Sequence, residues 1–122
     1  MANKKVLLAD DSDTALLMGL LVLKKGAYDV IVARDGEEAV EKAVTEKPDL
    51  ILMDVAMPRL DGPAAVARLG AREETRAIPV IMLTSRGEAP EASVLPPGAR
   101  DSITKPLDAF ELLSKVRGHI GT

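Results

Sequence analysis

The chain has 122 residues, of which 47% are hydrophobic and 29% charged, and its formal net charge is −3. This length and balance predict one globular domain over 1–122, and the lack of cysteine, with one Tyr, one Phe and no Trp, excludes disulfides, thiolate zinc sites and aromatic platforms for single-stranded nucleic acid. Because the basic residues are scattered and no apolar run reaches the length of a membrane span, we expect a cytoplasmic domain that binds neither nucleic acid nor a membrane directly.

The first half of the chain alternates short apolar runs with segments of helical length. A strand is predicted over 5–9, followed by a helix over 13–26. A second strand over 29–33 leads to a helix over 36–47, and the run 50–53 predicts a third strand. Continuous apolar runs of this kind are typical of parallel strands that are covered on both faces.

The second half continues this alternation, with predicted elements at 62–72 (helix), 79–83 (strand), 101–104 (a weaker strand) and 108–120 (helix). The segment 88–99 should hold a further helix, but its three prolines restrict helical structure to a short stretch around 90–95. The alternation predicts an α/β fold with right-handed crossovers and a doubly wound parallel sheet.

Polar residues follow the predicted strands, where an otherwise apolar pattern ends. In open parallel sheets, ligands bind beyond the carboxyl ends of the strands. The residues at those ends are Asp10, Asp11, Arg34, Asp35, Asp54, Thr84 and Lys105. Each one alone could be a helix cap, a turn residue or a solvated charge. Together, at the ends of several strands, they indicate one shared site.

The chemistry of this group points to a phosphoryl ligand. Asp10, Asp11 and Asp54 would repel one another unless a cation lies among them, and oxygen ligands suit Mg²⁺. Lys105 supplies a compact positive charge and Thr84 a hydroxyl donor. Asp54 can act as a nucleophile, because aspartyl phosphates are established covalent intermediates.

Four segments carry a resemblance to a known family. "ADDS" (9–12), "LILMDVAMPRLDG" (50–62), "PVIMLTS" (79–85) and "ITKP" (103–106) stand in the order and near the spacing of the response-regulator receiver domains of two-component signalling. The chain resembles these domains over its whole length. The resemblance implies a flavodoxin-like (α/β)5 fold with a five-stranded parallel sheet of order 2-1-3-4-5, in which the fourth helix would be atypically short and rich in proline.

The resemblance also implies roles for the residues at the strand ends. Asp54 would be the phosphoacceptor, Thr84 the switch hydroxyl and Lys105 the phosphate-binding lysine. Mg²⁺ would be held by Asp10, Asp11, Asp54 and the backbone carbonyl of Ala56, with Asp11 the more direct ligand, and Pro106 would follow a cis peptide bond. The phosphoryl donor would be a histidine kinase or a histidine phosphotransfer protein, and the downstream protein target is not specified by the sequence.

Three classes of function are compatible with such a site. A phosphorylation-dependent switch is favoured by the complete set of site residues. An aspartyl-phosphate phosphatase is disfavoured, because position 56 is alanine and the chain has no spare length for a substrate cap. The alternative to the switch is a phosphorylation-independent adaptor with a receiver fold. We therefore expect no enzyme activity beyond the domain's own phosphorylation and dephosphorylation, and no output domain within these residues.

Two further features of the sequence bear on how the domain would respond and what it would contact. Ser102 stands where related domains carry an aromatic residue, so we expect a larger response to phosphorylation in the loops at 55–62 and 84–91 than at 98–104. The helix predicted near 13–25 is apolar nearly all round: Leu17, Leu20 and Leu21 would suffice for a core stripe, and Leu16, Met18, Val22 and Leu23 extend it. The extra surface is either a broad buried face or a docking or dimer face.

His119 is expected to favour the helix terminus or solvent rather than chemistry.

Overall fold

The computed structural model describes residues 3–85 and 95–121. Its strands are β1 (Lys5–Ala9), β2 (Asp29–Ala33), β3 (Leu50–Asp54), β4 (Val80–Thr84) and β5 (Ala99–Thr104). Its helices within this part are α1 (Asp13–Lys25), α2 (Gly36–Glu46), α3 (Gly62–Gly70) and α4 (Ala109–Ile120). The short helix predicted around 90–95 lies, apart from residue 95, outside the described residues. Across the described part, no helix is both long and apolar enough to span a membrane.

The five strands form one parallel sheet in the order β2-β1-β3-β4-β5, as predicted. Ala9 pairs with Met53, and Asp54 pairs with Leu83 on the next strand. All carboxyl ends therefore lie at one edge of the sheet. β2 lies on one side of β1 and β3 lies on the other. The strand order therefore reverses at this point, and in such sheets the reversal forms a crevice at the carboxyl ends of the strands, where ligands bind.

The core consists of two apolar layers, one on each face of the sheet. Leu8 and Leu52 point into the layer beneath α1 and α4, whereas Leu7 and Ile51 point into the layer beneath α2 and α3. Successive strand residues alternate between the faces, which explains why the strand sequences are apolar without interruption. Each fully buried leucine contributes roughly 1.5–3 kcal/mol. The rigid sheet fixes the positions of the strand ends.

Two element boundaries differ from the sequence prediction by two residues, and several others differ by one. β5 begins at Ala99 rather than at residue 101, because backbone pairing with β4 starts at Val80 opposite Ala99. At the edge of a sheet this pairing does not require apolar side chains. α3 ends at Gly70 rather than at residue 72, and the turns that follow are held by the buried Thr75 hydroxyl, which donates to the Leu69 carbonyl at 2.7 Å.

The predicted core stripe of α1 was wrong. The sequence favoured Leu17, Leu20 and Leu21, but Leu17 and Leu21 are 59% and 54% exposed. The buried residues of the helix are Ala15, Leu16, Gly19, Val22 and Leu23. Gly19 explains this orientation: a Cβ there would come within 2.6 Å of the Leu8 side chain, so the helix backbone lies directly against the sheet on that side. Apolar periodicity alone could not choose between the two faces.

The end of the described chain is tied to the start of β2. The hydroxyl of the buried Tyr28 donates to the Gly121 carbonyl at 2.5 Å. Burial raises the pKa of Tyr28 and outweighs the opposing effect of Arg117 nearby. The phenol therefore remains a neutral hydrogen-bond donor at neutral pH.

Candidate functional site

Three carboxylates meet at the crevice between β1 and β3. Asp10 directly follows β1, where its backbone N–H donates to the Ala33 carbonyl at 3.0 Å, and Asp54 is the last residue of β3. Asp11 lies one residue further along the chain. One oxygen of each carboxylate lies within 4.8 Å of the other two. The structure thus brings together all three acidic side chains that the sequence singled out for metal binding.

Asp10 and Asp11 differ in how their oxygens are engaged. Asp10 is fully buried, and its Oδ1 accepts from the Ser12 backbone N–H at 2.9 Å while its Oδ2 accepts from Lys105 Nζ at 3.0 Å. Asp11 is exposed. Because both Asp10 oxygens already have donors, Asp11 is the carboxylate better able to turn toward a cation. Ser12 also caps α1 through its hydroxyl, which accepts from the Ala15 N–H.

Lys105 reaches the acidic cluster from the end of β5. Its backbone N–H donates to the Thr84 carbonyl at 2.6 Å, and the bond to Pro106 is cis, as the resemblance implied. The ammonium lies 3.0 Å from Asp10 Oδ2 and 3.1 Å from Asp54 Oδ1. Burial lowers the pKa of Lys105, but the two carboxylates outweigh burial and raise it overall. The lysine is therefore charged at neutral pH.

Asp54 is the least satisfied charge in the site. Its side chain is buried, and Oδ1 accepts no hydrogen bond of favourable geometry from the described residues, although Lys105 Nζ is near. Burial, followed by repulsion from Asp10, raises the pKa of Asp54 to about 6, and the opposing effect of Lys105 is smaller. One ammonium cannot neutralise three carboxylates, so the site lacks positive charge.

Thr84 and Ala56 border this cluster. Thr84 is the buried last residue of β4, one position beyond Leu83, which pairs with Asp54. Ala56 lies in the loop after β3, beside an open groove of about 530 Å³. The groove is lined by Asp11, Val55, Ala56, Met57, Pro58 and Asp61. Asp11, the exposed member of the acidic cluster, thus lines an open groove.

The loop after β3 is held against its neighbours by backbone contacts. A Cβ at Gly62 would collide with the carbonyl of Asp54, and a Cβ at Gly36 would collide with the carbonyl of Leu60. Arg59, at φ 68°, places its guanidinium 3.7 Å from Asp35 Oδ2. Sequence reasoning did not identify these positioning contacts, although each glycine directly follows an aspartate, which was an available signal.

Arg34 and Asp35 are not part of the acidic cluster, although the sequence places them at a strand end. Arg34 pairs with Asp13 at 2.6 Å, and Asp35 caps α2 by accepting from the Glu38 N–H at 2.8 Å. Their ordinary roles as a surface ion pair and a helix cap account for them.

The residues present fit a bound Mg²⁺. The donor set consists only of oxygens, the three carboxylates lie close enough to share one ion, and the buried Asp54 Oδ1 lacks a well-aligned donor. Mg²⁺ favours one or two carboxylates together with water and phosphoryl oxygens. Asp11, Asp54 and Asp10 could hold it, with the Ala56 carbonyl nearby.

A second polar network joins β5 to α4, away from the acidic cluster. Lys115 Nζ donates to the Ser102 carbonyl at 2.6 Å and to Asp101 Oδ1 at 3.2 Å, and His119 Nε2 lies 3.3 Å from Asp101 Oδ2. Burial raises the pKa of Asp101, but hydrogen bonds from the Ser102 N–H, His119 and Lys115 outweigh it and lower the pKa overall. His119 lies in the last turn of α4, as expected, and also contacts a carboxylate.

The sequence and the structure both match one family. The family described as response regulator receiver domain matches residues 6–117. The chain is 39% identical to the protein PilH of Pseudomonas aeruginosa over 113 residues, which cover 92% of this chain and 93% of PilH. It is 41% identical over 116 residues to the alkaline phosphatase synthesis transcriptional regulatory protein PhoP of Bacillus subtilis, covering 94% of this chain but only 48% of PhoP.

Among solved structures, the chain resembles the receiver domain of the sensor histidine kinase PA1611 of Pseudomonas aeruginosa. The TM-score is 0.90 at 31% identity, and the alignment covers 99% of this chain and 100% of that domain. That domain was crystallised with a magnesium ion coordinated in its active site cleft. A chemotaxis protein of Vibrio cholerae, CheY4, matches with a TM-score of 0.85 at 29% identity, covering 97% of this chain and 99% of that one.

Proposed function

The chain belongs to the response regulator receiver domain family of two-component signalling, and on this premise we propose that it is a switch that accepts a phosphoryl group on Asp54. The observation that supports this most is the state of Asp54 itself. Asp54 is a buried carboxylate with a raised pKa. Its side chain lies among two other carboxylates and a lysine, and among the described residues its Oδ1 has no well-aligned hydrogen-bond donor. A buried charge without a full set of partners destabilises the folded protein, so such a carboxylate indicates a functional site.

The transfer forms one bond and breaks one. A carboxylate oxygen of Asp54 attacks phosphorus as the bond between phosphorus and a donor imidazole breaks, and the electron pair of that bond stays on the leaving nitrogen. Lys105, which already lies between Asp10 and Asp54, moves its ammonium onto a phosphoryl oxygen. The Thr84 hydroxyl donates to another. Both residues stabilise charge that spreads over the equatorial oxygens in a loose transition state.

We propose that Mg²⁺ binds at Asp10, Asp11, Asp54 and the Ala56 carbonyl. When bound, it neutralises charge on the carboxylates and on the phosphoryl oxygens. Asp10 holds Lys105 and keeps the ammonium at the site, whereas exposed Asp11 offers its oxygens to the ion. The phosphoryl donor is a histidine kinase or a histidine phosphotransfer protein, and phosphorylation changes the binding of a downstream protein.

Intact-mass spectrometry tests the proposal. The protein is incubated with acetyl phosphate and Mg²⁺, and we expect a gain of one phosphoryl group that EDTA abolishes. Asp54→Asn should show no gain. Asp29→Asn is the matched control. Asp29 is an exposed carboxylate at the start of β2, at the edge of the sheet opposite to Asp54, so this variant should gain a phosphoryl group as the unmodified protein does. Undiminished labelling of Asp54→Asn would place the acceptor elsewhere and overturn the assignment.

A further inference from the structure

β2 is an edge strand, and within the described part of the chain no strand pairs with the side that faces away from β1. The backbone groups of Asp29 and Ala33 bond on the side of β1, at 2.9 and 3.0 Å. Because backbone groups alternate in direction along a strand, those of Val30 and Val32 point outward and form what we call the β2 edge. Outward N–H and C=O groups on an apolar strand are a template on which another strand can pair.

The ammonium of Lys42, on α2, bonds to one of these outward groups. Lys42 Nζ donates to the Val32 carbonyl at 2.7 Å, and Glu38, four residues earlier on α2, lies 3.2 Å from the same ammonium. The lysine side chain therefore covers part of the β2 edge. An added strand would have to displace the ammonium from this carbonyl, so the contact opposes strand pairing.

The same arrangement recurs at the other edge of the sheet. Lys115 Nζ, on α4, donates to the Ser102 carbonyl at 2.6 Å, and Glu111 lies 3.6 Å from that ammonium, again from four residues earlier. In each case the carbonyl belongs to the fourth residue of an edge strand, and the lysine belongs to the next helix described. Because β2 is apolar over 30–33 whereas β5 carries charged residues at 100 and 101, loss of the lysine should matter more at β2.

We propose that Lys42 blocks the β2 edge against pairing with the β2 edge of a second copy of this chain. An antiparallel pair centred on Ile31 would place Val30 of each copy opposite Val32 of the other. Each Val30 N–H would donate to a Val32 carbonyl and each Val32 N–H to a Val30 carbonyl, so half of these hydrogen bonds would end on Val32. In both copies Lys42 already occupies that carbonyl, which keeps the intact protein monomeric.

The side chains of β2 are compatible with this twofold pair. Ile31 would lie opposite Ile31 of the second copy, and the valines would face one another. Asp29 would lie opposite Ala33, so no like charges oppose each other directly. Because the edge is complementary to itself, the occupant that Lys42 excludes is a second copy of the chain.

Sedimentation equilibrium up to about 1 mM tests the proposal. The unmodified protein should remain monomeric, whereas Lys42→Met, which removes the ammonium and keeps the side chain long, should associate at least about tenfold more strongly. Lys24→Met is the matched control: Lys24 is exposed, its ammonium bonds to none of the described residues, and the change in net charge is the same. Lys42→Met that associates no more strongly than Lys24→Met would overturn the proposal.

A proline at position 30 tests whether the association uses the β2 edge. The Val30 N–H points away from β1, so Val30→Pro removes an outward donor and leaves the pairing with β1 in place. Added to Lys42→Met, it should return the protein to the monomer, with cooperative unfolding retained by circular dichroism. A folded double variant that still associates would reject pairing through β2.

Amide hydrogen exchange locates the interface without a proline. In Lys42→Met, exchange at residues 30 and 32 should slow as the protein concentration rises from about 10 μM to about 1 mM, because these amides become bonded in the pair. The same amides in Lys24→Met should exchange at a rate independent of concentration. Slower exchange confined to another surface, such as 17–21 on α1, would show a different interface and overturn the proposal.

Discussion

Lys115 donates a hydrogen bond from Nζ to the backbone carbonyl of Ser102 at 2.6 Å, which fixes α4 to β5. The same ammonium bonds to Asp101, and His119 contacts the other oxygen of that carboxylate. A polar network therefore joins β5 to α4 around Ser102. Since fully paired networks of this kind have one favoured geometry, this part of the surface is held in place.

Removing the Lys115 ammonium should loosen β5. We expect Lys115→Met to lower the free energy of unfolding by about 1 kcal/mol, because the lost bonds are charged but only partly buried. Amide hydrogen exchange at 100–104 should become faster. Lys4→Met is the matched control, since the Lys4 side chain makes no ion pair or hydrogen bond with residues 3–85 or 95–121. Unchanged exchange in β5 would show that this network does not restrain the strand.

The response to phosphorylation should be largest in the loop after β3. With beryllofluoride and Mg²⁺, we expect amide protection to change more at 55–62 and 84–91 than at 98–104, because Ser102 has no ring to bury and Lys115 holds its carbonyl. Residues 86–91 of the second loop lie outside the part of the chain that the structure describes. The loop at 55–61 contains the proposed carbonyl ligand and begins directly after Asp54. A dominant change at 98–104 with a silent 55–61 loop would contradict this expectation.

In the absence of metal ions, Asp54 should make the free energy of unfolding depend on pH. Its pKa is about 6 in the folded protein, against an ordinary value of 3.8. The folded state therefore holds this proton more tightly than the unfolded state, and stability is lost as pH rises from about 4 through about 6. Asp54→Asn should remove this loss and stabilise the protein by roughly 1–3 kcal/mol above pH 7 in EDTA. Denaturant unfolding at pH 4.5 and 7.5 measures the difference, with Asp29→Asn expected to change little at either pH.

Asp11 should contribute to Mg²⁺ binding without supporting the fold. Asp11→Asn should weaken Mg²⁺ affinity by about tenfold or more, as followed by calorimetry, while leaving metal-free thermal stability unchanged or higher, because a like charge is removed. Asp61→Asn is the matched control: Asp61 lines the same groove, and asparagine caps α3 as well as aspartate does. An equal loss of affinity in both variants would mean that general charge, rather than coordination, governs binding.

The contact between Gly36 and Leu60 should be essential for stability. Gly36→Ala must displace the Leu60 carbonyl, so we expect a loss of about 2 kcal/mol or more, together with weaker Mg²⁺ binding as the loop shifts. Gly118→Ala provides the comparison within α4. A Cβ at that position meets no atom within 4 Å, so this change should stabilise the helix by up to about 1 kcal/mol. A neutral Gly36→Ala would show that the loop has room to move.

The sheet and the acidic site could be predicted from the sequence. Runs such as Leu50–Met53 are apolar without interruption, and a parallel sheet collects the residues that follow its strands at one edge. The proximity of Asp10 and Asp54 follows from the strand order that the resemblance to receiver domains implied, whereas Lys105 follows β5 and reaches them across β4 with its long side chain. This part of the prediction needed no knowledge of side-chain packing.

Other features depend on packing that no local pattern encodes. Leu16 and Leu17 are equally apolar, and only the close approach of Gly19 to Leu8 determines which of them is buried. The bond from Lys115 to Ser102 joins residues on different elements, so neither the polar strand nor the helix indicates it. The early start of β5 likewise follows from backbone pairing with β4.

The bond between Tyr28 and Gly121 determines where any attached polypeptide leaves the domain. Tyr28 precedes β2, so the Gly121 carbonyl is held at the amino ends of the strands, and the five residues of β2 put roughly 15 Å between that point and the edge that carries Asp54. A tether joined after residue 121 therefore starts on the opposite side of the molecule from the phosphoryl group. Surface immobilisation or a fluorescent fusion at this terminus would leave the acidic crevice open to its phosphodonor, whereas the same attachment within the loop at 55–61 would obstruct it.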